Sequence, residues 1–103
     1  MQADEKKRLY AKVMGRYGID MQTLVLAEEC AEMVKAASKL CRYFRKLEVG
    51  DSLSMTLVNE LIEEIADTEI MMEQMEQEYN ISRGQIETVK DMKLERLKKK
   101  VGI

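Results

Sequence analysis

The chain contains no proline, no histidine and no tryptophan, and its only aromatic residues are four tyrosines and one phenylalanine. Without histidine, Ser-His and Cys-His catalytic pairs are excluded and a zinc site is disfavoured. The scarcity of aromatic residues argues against an all-β pattern, and the absence of proline removes the strongest interruption of long helices. The missing residue types therefore favour an all-helical protein whose chemistry does not rely on histidine.

Long apolar runs are also missing, and residues 1–8 do not resemble a signal peptide. We therefore expect no membrane partner and a reducing, cytoplasmic location. The two cysteines, Cys30 and Cys41, are eleven positions apart in one predicted helix. At about 1.5 Å per residue they would be roughly 16 Å apart, too far for a disulfide. Because apolar residues surround both, we interpret them as core residues.

The overall composition indicates one folded domain, residues 1–103, with 46% hydrophobic and 35% charged residues. A chain of this size buries only a modest core, and association with further copies is a common remedy. The net charge of -2 gives no general attraction to nucleic acid. The basic C-terminal segment lacks interleaved aromatic residues, so we expect no nucleic-acid partner.

Apolar periodicity predicts four helices, over residues 4–14, 21–47, 53–79 and 83–100. Gly15 and Gly18 should separate the first two, with Asp20 as the N-cap of the second. The turn before the third helix contains Gly50-Asp51-Ser52, and Asp51, Ser52 or Ser54 could cap that helix. Asn80 is a plausible stop, and Ser82-x-x-Gln85 matches a capping box for the fourth helix.

The two long helices carry apolar stripes with alternating steps of three and four residues, which is the rhythm of antiparallel helix packing. The predicted core lines are Leu26, Cys30, Met33, Ala37, Leu40, Phe44 and Leu47, then Val58, Leu61, Ile65, Thr68, Met72, Met75 and Tyr79. The fold expected is an all-α, antiparallel, four-helix bundle-like protomer. Further apolar residues beside these lines predict a homo-oligomer, a dimer or a tetramer.

Two acidic couplets, Glu29-x-x-Glu32 and Glu64-x-x-Asp67, lie in the long helices. Spacing of i, i+3 puts both members of a couplet on one helical face, so two packed helices can direct four carboxylates at one point. Oxygen ligands suit Mg²⁺, for which Mn²⁺ can substitute. Because protein-bound Mg²⁺ commonly also contacts phosphate, the pattern indicates a phosphorylated small molecule as substrate.

A second interpretation fits the same spacing, because most glutamates on helices simply face solvent. Against it, like charges are concentrated around the couplets, in Glu28, Glu29 and Glu32 and in Glu60, Glu63, Glu64 and Asp67. Such crowding costs a few tenths of a kcal/mol for each i, i+4 pair, and a bound cation would relieve it.

In their contexts, LAEECAEMVKAASK and LIEEIADTEIMMEQM, these acids resemble the MazG-like all-α nucleoside triphosphate pyrophosphohydrolases, relatives of the dimeric dUTPases. The resemblance covers residues 17–99. The interval 33–63 is somewhat longer than the separation usual in that family. The resemblance implies Mg²⁺-dependent hydrolysis of a nucleoside triphosphate to the monophosphate and pyrophosphate, as in clearance of the nucleotide pool.

By the same resemblance, the metal ligands would be Glu29, Glu32, Glu64 and Asp67, and Glu28 would support catalysis with Glu29 by orienting water. Phosphate contacts could come from Lys35 and Lys39, one and two turns beyond Glu32, and from the basic positions Lys93 and Arg96.

Each of these assignments has an ordinary alternative. Lys35 could pair with Glu32, and the last helix could be an exposed cationic end near a helix C-terminus. Gln22 and Tyr17 lie where a base could dock, but a surface role and a packing role fit them equally. No residue decides which base is preferred. For the whole chain, the alternative to an enzyme is a non-catalytic helical, oligomeric binding or regulatory module on the same frame.

Overall fold

Three helices account for most of the chain in the computed structural model, which describes residues 1–52 and 54–103. They are α1 (Ala3–Arg45), α2 (Met55–Glu78) and α3 (Arg83–Lys100). The described residues contain no strand, which confirms the all-α prediction. The predicted start of the third helix, Leu53, lies outside the described residues.

The first two predicted helices form one helical run that is broken only at Gly18, where φ is 84° and ψ is 159°. A positive φ of this kind is easily adopted by glycine because it has no Cβ. The break divides α1 into an N-terminal arm, residues 3–17, and a long arm, residues 19–45. The prediction of a gap between residues 14 and 21, with Asp20 as a cap, was wrong because Gly15 and Asp20 remain within the helical run.

The chain reverses at Gly18, as the contacts on α2 show. Tyr10 in the N-terminal arm bonds to Glu73, whereas Gln22 in the long arm bonds to the next residue, Gln74. A straight helix would separate residues 10 and 22 by about 18 Å at 1.5 Å per residue. Both arms therefore pack on α2, against different faces of that helix.

The long arm and α2 run antiparallel, as predicted. Gln22 contacts Gln74, Thr68 bonds to the carbonyl of Glu29, and Lys39 reaches Glu60. Residue numbers rise along one helix as they fall along the other, so the two acidic couplets lie at the same level of the pair.

The predicted core line of α2 was partly wrong. Thr68 is buried, and Val58, Leu61 and Met75 are half-buried, as expected. Ile65, Met72 and Tyr79 are exposed, whereas the buried residues of α2 are Thr68, Met71 and Gln74. The departures lie at Met71 and Gln74, which take the inward positions expected for Met72 and its neighbours. Polar groups in the seam are satisfied: the Gln22 amide donates to Gln74, and the Thr68 hydroxyl donates to the Glu29 carbonyl of α1.

The core prediction for α1 was also partly wrong. Leu26, Met33 and Leu40 are half-buried as expected, but Phe44 is exposed. Of the two cysteines, both free, Cys30 is half-buried and Cys41 is exposed, so only Cys30 resembles a core residue.

The helix ends follow the local signals closely. Ser54 caps α2 by accepting from the Leu57 amide, at 3.4 Å. Asn80 adopts a left-handed φ of 55° just beyond α2. Ser82 and Gln85 form the predicted capping box, at 3.1 and 2.8 Å. These ends depend on neighbours in sequence, which is why they could be predicted.

Helix α3 stands apart from the other two, and Ile86 is its only half-buried residue, the rest being exposed. The radius of gyration is 17.6 Å, whereas a compact chain of this length has about 13 Å. No helix in the described part of the chain has both the length and the apolar character needed to cross a membrane. The isolated chain is thus a packed α1–α2 unit with a projecting third helix.

Candidate metal centre

Three of the four predicted ligands converge between the long arm and α2. Glu29 on α1 and Glu64 and Asp67 on α2 each place one carboxylate oxygen within 4.8 Å of the other two. All three side chains are half-buried. We call this group the carboxylate cluster. Oxygen ligands from two rigid helices, open on one side, suit a hard divalent cation that retains some of its water.

Thr68 explains why the two helices approach each other at the cluster. Its hydroxyl donates a 3.2 Å hydrogen bond to the main-chain carbonyl of Glu29, and it is the most buried residue described, at 3% exposed. A small side chain with a satisfied hydroxyl lets the helix backbones come close together. Because Thr68 follows Asp67 directly, the same bond fixes one acidic couplet relative to the other.

Carboxylates of like charge repel one another in the carboxylate cluster. Desolvation, followed by the charges of Asp67, Glu29, Glu32 and Glu63, raises the pKa of Glu64 above its ordinary value. All the charges that shift this pKa are carboxylates, so ionising Glu64 increases repulsion. A divalent cation would reverse the balance by favouring the ionised forms of all these groups.

The other predicted acids lie at the edge of this arrangement. Glu32 is exposed and is not one of the three converging carboxylates, but its charge acts on Glu64. It also lines a cavity of about 200 Å³ beside the cluster. Glu28 is exposed and does not line that cavity. Glu29, Glu64 and Asp67 therefore converge, Glu32 lies beside them, and Glu28 lies apart from the cavity.

The adjoining cavity brings acids and lysines together. Its walls are formed by Glu32, Lys35, Ala36, Lys39, Glu60, Glu63 and Glu64. Two of the basic residues predicted to contact phosphate, Lys35 and Lys39, thus lie beside the cluster. Lys39 already has an acidic neighbour, since its ammonium group lies 3.5 Å from Glu60. The predicted alternative, a pair between Lys35 and Glu32, is not among the ion pairs of the described residues.

The remaining predicted substrate contacts lie elsewhere in this chain. Lys93 and Arg96 are exposed on α3 and do not line the cavity. Gln22 is buried in the helix seam, where its amide bonds to Gln74 at 2.8 Å. Tyr17 is 53% exposed, with the Arg16 guanidinium 5.4 Å from its ring centre.

A second polar site on α2 had no sequence signal. Glu73 accepts hydrogen bonds from Tyr10 at 2.7 Å and from Lys6 at 3.2 Å. We call these three residues the Glu73 clasp. The Tyr10 hydrogen bond is the main cause that lowers the pKa of Glu73, and burial together with the carboxylate raises the pKa of Tyr10 to about 12. The partners are more than sixty residues apart, so no local pattern could have paired them.

Comparisons of the chain with protein-family models, with curated proteins and with solved structures find no match.

Proposed function

We propose that the protein is a Mg²⁺-dependent nucleoside triphosphate pyrophosphohydrolase, acting on an NTP or dNTP and releasing the monophosphate and pyrophosphate. The observation that carries the proposal is the convergence of Glu29, Glu64 and Asp67 from two antiparallel helices. The resemblance of the two acidic motifs to the MazG-like enzymes supplies the substrate class. The cavity beside the cluster supplies room and positive charge for phosphate.

In this proposal the carboxylate cluster holds the metal, and Glu32 completes the ligand set from the cavity wall. Oxygen donors and crowded negative charge fit Mg²⁺, or Mn²⁺ in its place. Bound Mg²⁺ would supply neutralisation of phosphate charge and a water of lowered pKa. The raised pKa of Glu64 supports this role, because a group that is costly to ionise alone is stabilised by an added cation.

The residues of the chain would orient the substrate and move the proton. Lys35 and Lys39 line the same cavity as Glu64, so a triphosphate lying along the long arm would meet both ammonium groups. Binding would draw Lys39 away from Glu60, its present partner. Glu63 lines the cavity next to Glu64, and we assign it as the acceptor of the proton from the attacking water. Glu28, which lies outside the cavity, would act only indirectly.

The proposal includes a homo-oligomer as the working state, because the protomer leaves much apolar surface exposed. This same surface favours the second candidate, a non-catalytic helical module that binds a partner through its exposed faces.

The two candidates are separated by incubating the purified chain with the common NTPs and dNTPs in the presence of Mg²⁺, with pyrophosphate and orthophosphate assayed separately. We expect pyrophosphate and monophosphate in equal amounts. The matched control is Glu64→Gln, which keeps the size of the side chain but removes its charge. Release of orthophosphate would contradict the proposed bond cleavage. No turnover across the panel, with metal binding retained, would favour the non-catalytic module.

A further inference from the structure

A cleft separates α2 from α3. It has a volume of about 290 Å³, with Glu69, Met72, Glu73 and Glu76 on the α2 side and Arg83 and Lys90 on the α3 side. The helices are joined at its closed end by the Arg83 guanidinium, which lies 3.0 Å from Glu76. The capping box at Ser82 fixes the direction in which α3 leaves that end. The open end of the cleft therefore has no partner within the described chain.

The two helices that border the cleft differ in charge. Helix α2 contains no basic residue and eight acidic ones: Glu60, Glu63, Glu64, Asp67, Glu69, Glu73, Glu76 and Glu78. Helix α3 has three acidic residues and seven basic ones: Arg83, Lys90, Lys93, Arg96, Lys98, Lys99 and Lys100. Among the acidic residues of α2, only Glu60, Glu73 and Glu76 have a cationic partner within the described residues. On α3, Arg83 and Lys90 are paired with Glu87 of the same helix. Most of this complementary charge is unused in one copy.

Both helices also expose apolar side chains. On α2, Ile65 and Met72 are 39% and 44% exposed, and on α3, Val89 and Met92 are 50% and 56% exposed. In α3, Val89, Met92 and Arg96 follow one another at steps of three and four residues, and so do Val89, Lys93 and Arg96 at steps of four and three, so the four residues form one broad helical face. An apolar strip flanked by lysine and arginine on α3 thus corresponds to an apolar strip flanked by glutamate on α2.

The exposed area exceeds what a monomer of this size usually has. The chain exposes 8403 Å², whereas a compact protein of 12.0 kDa has about 6,000 Å². The excess of roughly 2,400 Å² is larger than the roughly 800 Å² that each partner contributes to a standard interface. The chain therefore has enough surplus area for a stable interface.

From these observations we propose that α3 of a second copy packs into the cleft, against the outer face of α2, and that the exchange is reciprocal. A surface that carries both complementary halves is self-complementary, which is the requirement for a two-fold dimer. The two α2 helices and the two α3 helices would then form a shared bundle in which each acidic helix meets the basic helix of its partner. This interface follows from charge, apolar surface and area, and does not depend on the proposed chemistry.

The test is a charge exchange measured by analytical ultracentrifugation. One variant carries Glu69→Lys on α2, and the other carries Lys93→Glu together with Arg96→Glu on α3. We expect the wild type to be a dimer at micromolar concentration and each variant to dissociate at least tenfold more readily. Mixed in equal amounts, the variants should form a heterodimer, because one contact is then repaired by the exchanged charges and the other is wild-type.

Lys12→Glu is the control, a reversal of charge on the exposed face of the N-terminal arm, and it should leave the dimer unchanged. Circular dichroism establishes that each variant keeps its helices, and formation of the heterodimer requires folded partners. A wild-type chain that sediments as a 12.0 kDa species would overturn the proposal, and so would closure of α3 on its own α2 without dimerisation. Variants that stay dimeric alone, or that fail to combine when mixed, would overturn it equally.

Discussion

Glu64 and Glu73 lie on the same helix, nine residues apart, and their surroundings shift their pKa values in opposite directions. Desolvation and four neighbouring carboxylates raise the pKa of Glu64. Hydrogen bonds from Tyr10 and Lys6 lower the pKa of Glu73. Residue type and helix are shared, so the difference arises from the surroundings. Desolvation, Asp67 and Glu63 of α2 and Glu29 and Glu32 of the long arm act on Glu64, whereas the N-terminal arm brings Tyr10 and Lys6 to Glu73.

The comparison separates a group of carboxylates that has no ion pair within the described residues from a carboxylate that has one. The long arm brings Glu29 to Glu64, which adds charge of the same sign. The N-terminal arm brings an ammonium group and a phenol to Glu73, which satisfy it within the chain. Carboxylates crowded at a helix seam and left without a cation indicate a binding role, whereas a neutralised carboxylate indicates a structural one. Four predictions test this distinction.

The largest effect is expected for Glu64→Gln or Asp67→Asn. Either should reduce Mg²⁺-dependent turnover by about 1,000-fold or more, because loss of a metal ligand removes several kcal/mol of transition-state stabilisation. Stability without metal should hold or rise. Because the pKa of Glu64 is raised in the folded state, ionising this group lowers the free energy of unfolding of the apoprotein as pH rises above the ordinary glutamate range. The Gln side chain carries no charge and avoids this loss. Pyrophosphate release and thermal melts measure the two effects.

Glu73→Gln is the matched control, with the same chemical change on the same helix. It should leave Mg²⁺ affinity and turnover within about twofold of wild type, since Glu73 is not part of the carboxylate cluster. Apo variants of Glu64 or Asp67 that unfold at room temperature would show that the cluster is structural, and the contrast between the sites would disappear.

The second prediction concerns the Glu73 clasp, where a substitution should lower stability, whereas substitutions in the carboxylate cluster should not. Tyr10→Phe should lower the free energy of unfolding by about 1 to 2 kcal/mol, because it deletes a 2.7 Å hydrogen bond to a charged carboxylate. Tyr10 is only 7% exposed, so water does not easily replace that bond. Urea denaturation followed by circular dichroism gives the value. An unchanged unfolding free energy would mean that the N-terminal arm does not depend on the Glu73 clasp.

The third prediction concerns alkaline pH. Tyr10 has a folded-state pKa of about 12 and an ordinary value of 10.0, so the folded protein retains the phenolic proton more strongly than the unfolded chain. Its contribution to stability should be complete below pH 10 and should fall as pH rises toward 12. Wild type and Tyr10→Phe contain the same lysines, so the difference between their unfolding free energies at each pH reports the titration of Tyr10 alone. A difference that stays constant from pH 8 to 12 would contradict the assignment.

The smallest effect is expected for the lysines beside the cluster. Lys35 and Lys39 line the same cavity as Glu64, and Lys39 is paired with Glu60 whereas Lys35 has no ion pair within the described residues. Lys35→Ala should raise KM or lower kcat for triphosphates about three- to tenfold, with Mg²⁺ affinity unchanged. Lys12→Ala, outside this cavity, is the control. Equal kinetics for both variants would leave Lys35 as an ordinary surface residue.

Local features of this fold were predictable because neighbouring residues determine them. The capping box at Ser82 and the helix stop at Asn80 each depend on contacts within a few residues. The antiparallel pairing of the long helices followed from their apolar rhythm. The burial of Thr68 was predicted, but that of Gln74 was not, because Gln74 is polar in sequence and becomes an interior residue only when Gln22 of α1 donates to it.

The candidate site likewise has features that local spacing predicts and features that depend on how the helices pack. The i, i+3 spacing placed Glu64 and Asp67 on one face, and Glu29 joined them as expected. The exposure of Glu32 and the position of Glu28 outside the cavity depend on the angle at which two helices meet. That angle is set by contacts such as the bond from Thr68 to Glu29, between residues 39 positions apart.

The sequence by itself determined that this protein is helical, where most of its helices end and which acids can share a helical face, because these properties arise within a few turns of one chain segment. Only the tertiary structure decided which carboxylates repel one another and which are neutralised. The reversal at Gly18 brings the two arms of α1 to different parts of α2. Electrostatic interactions act through space, so the state of a carboxylate depends on the groups that folding places beside it.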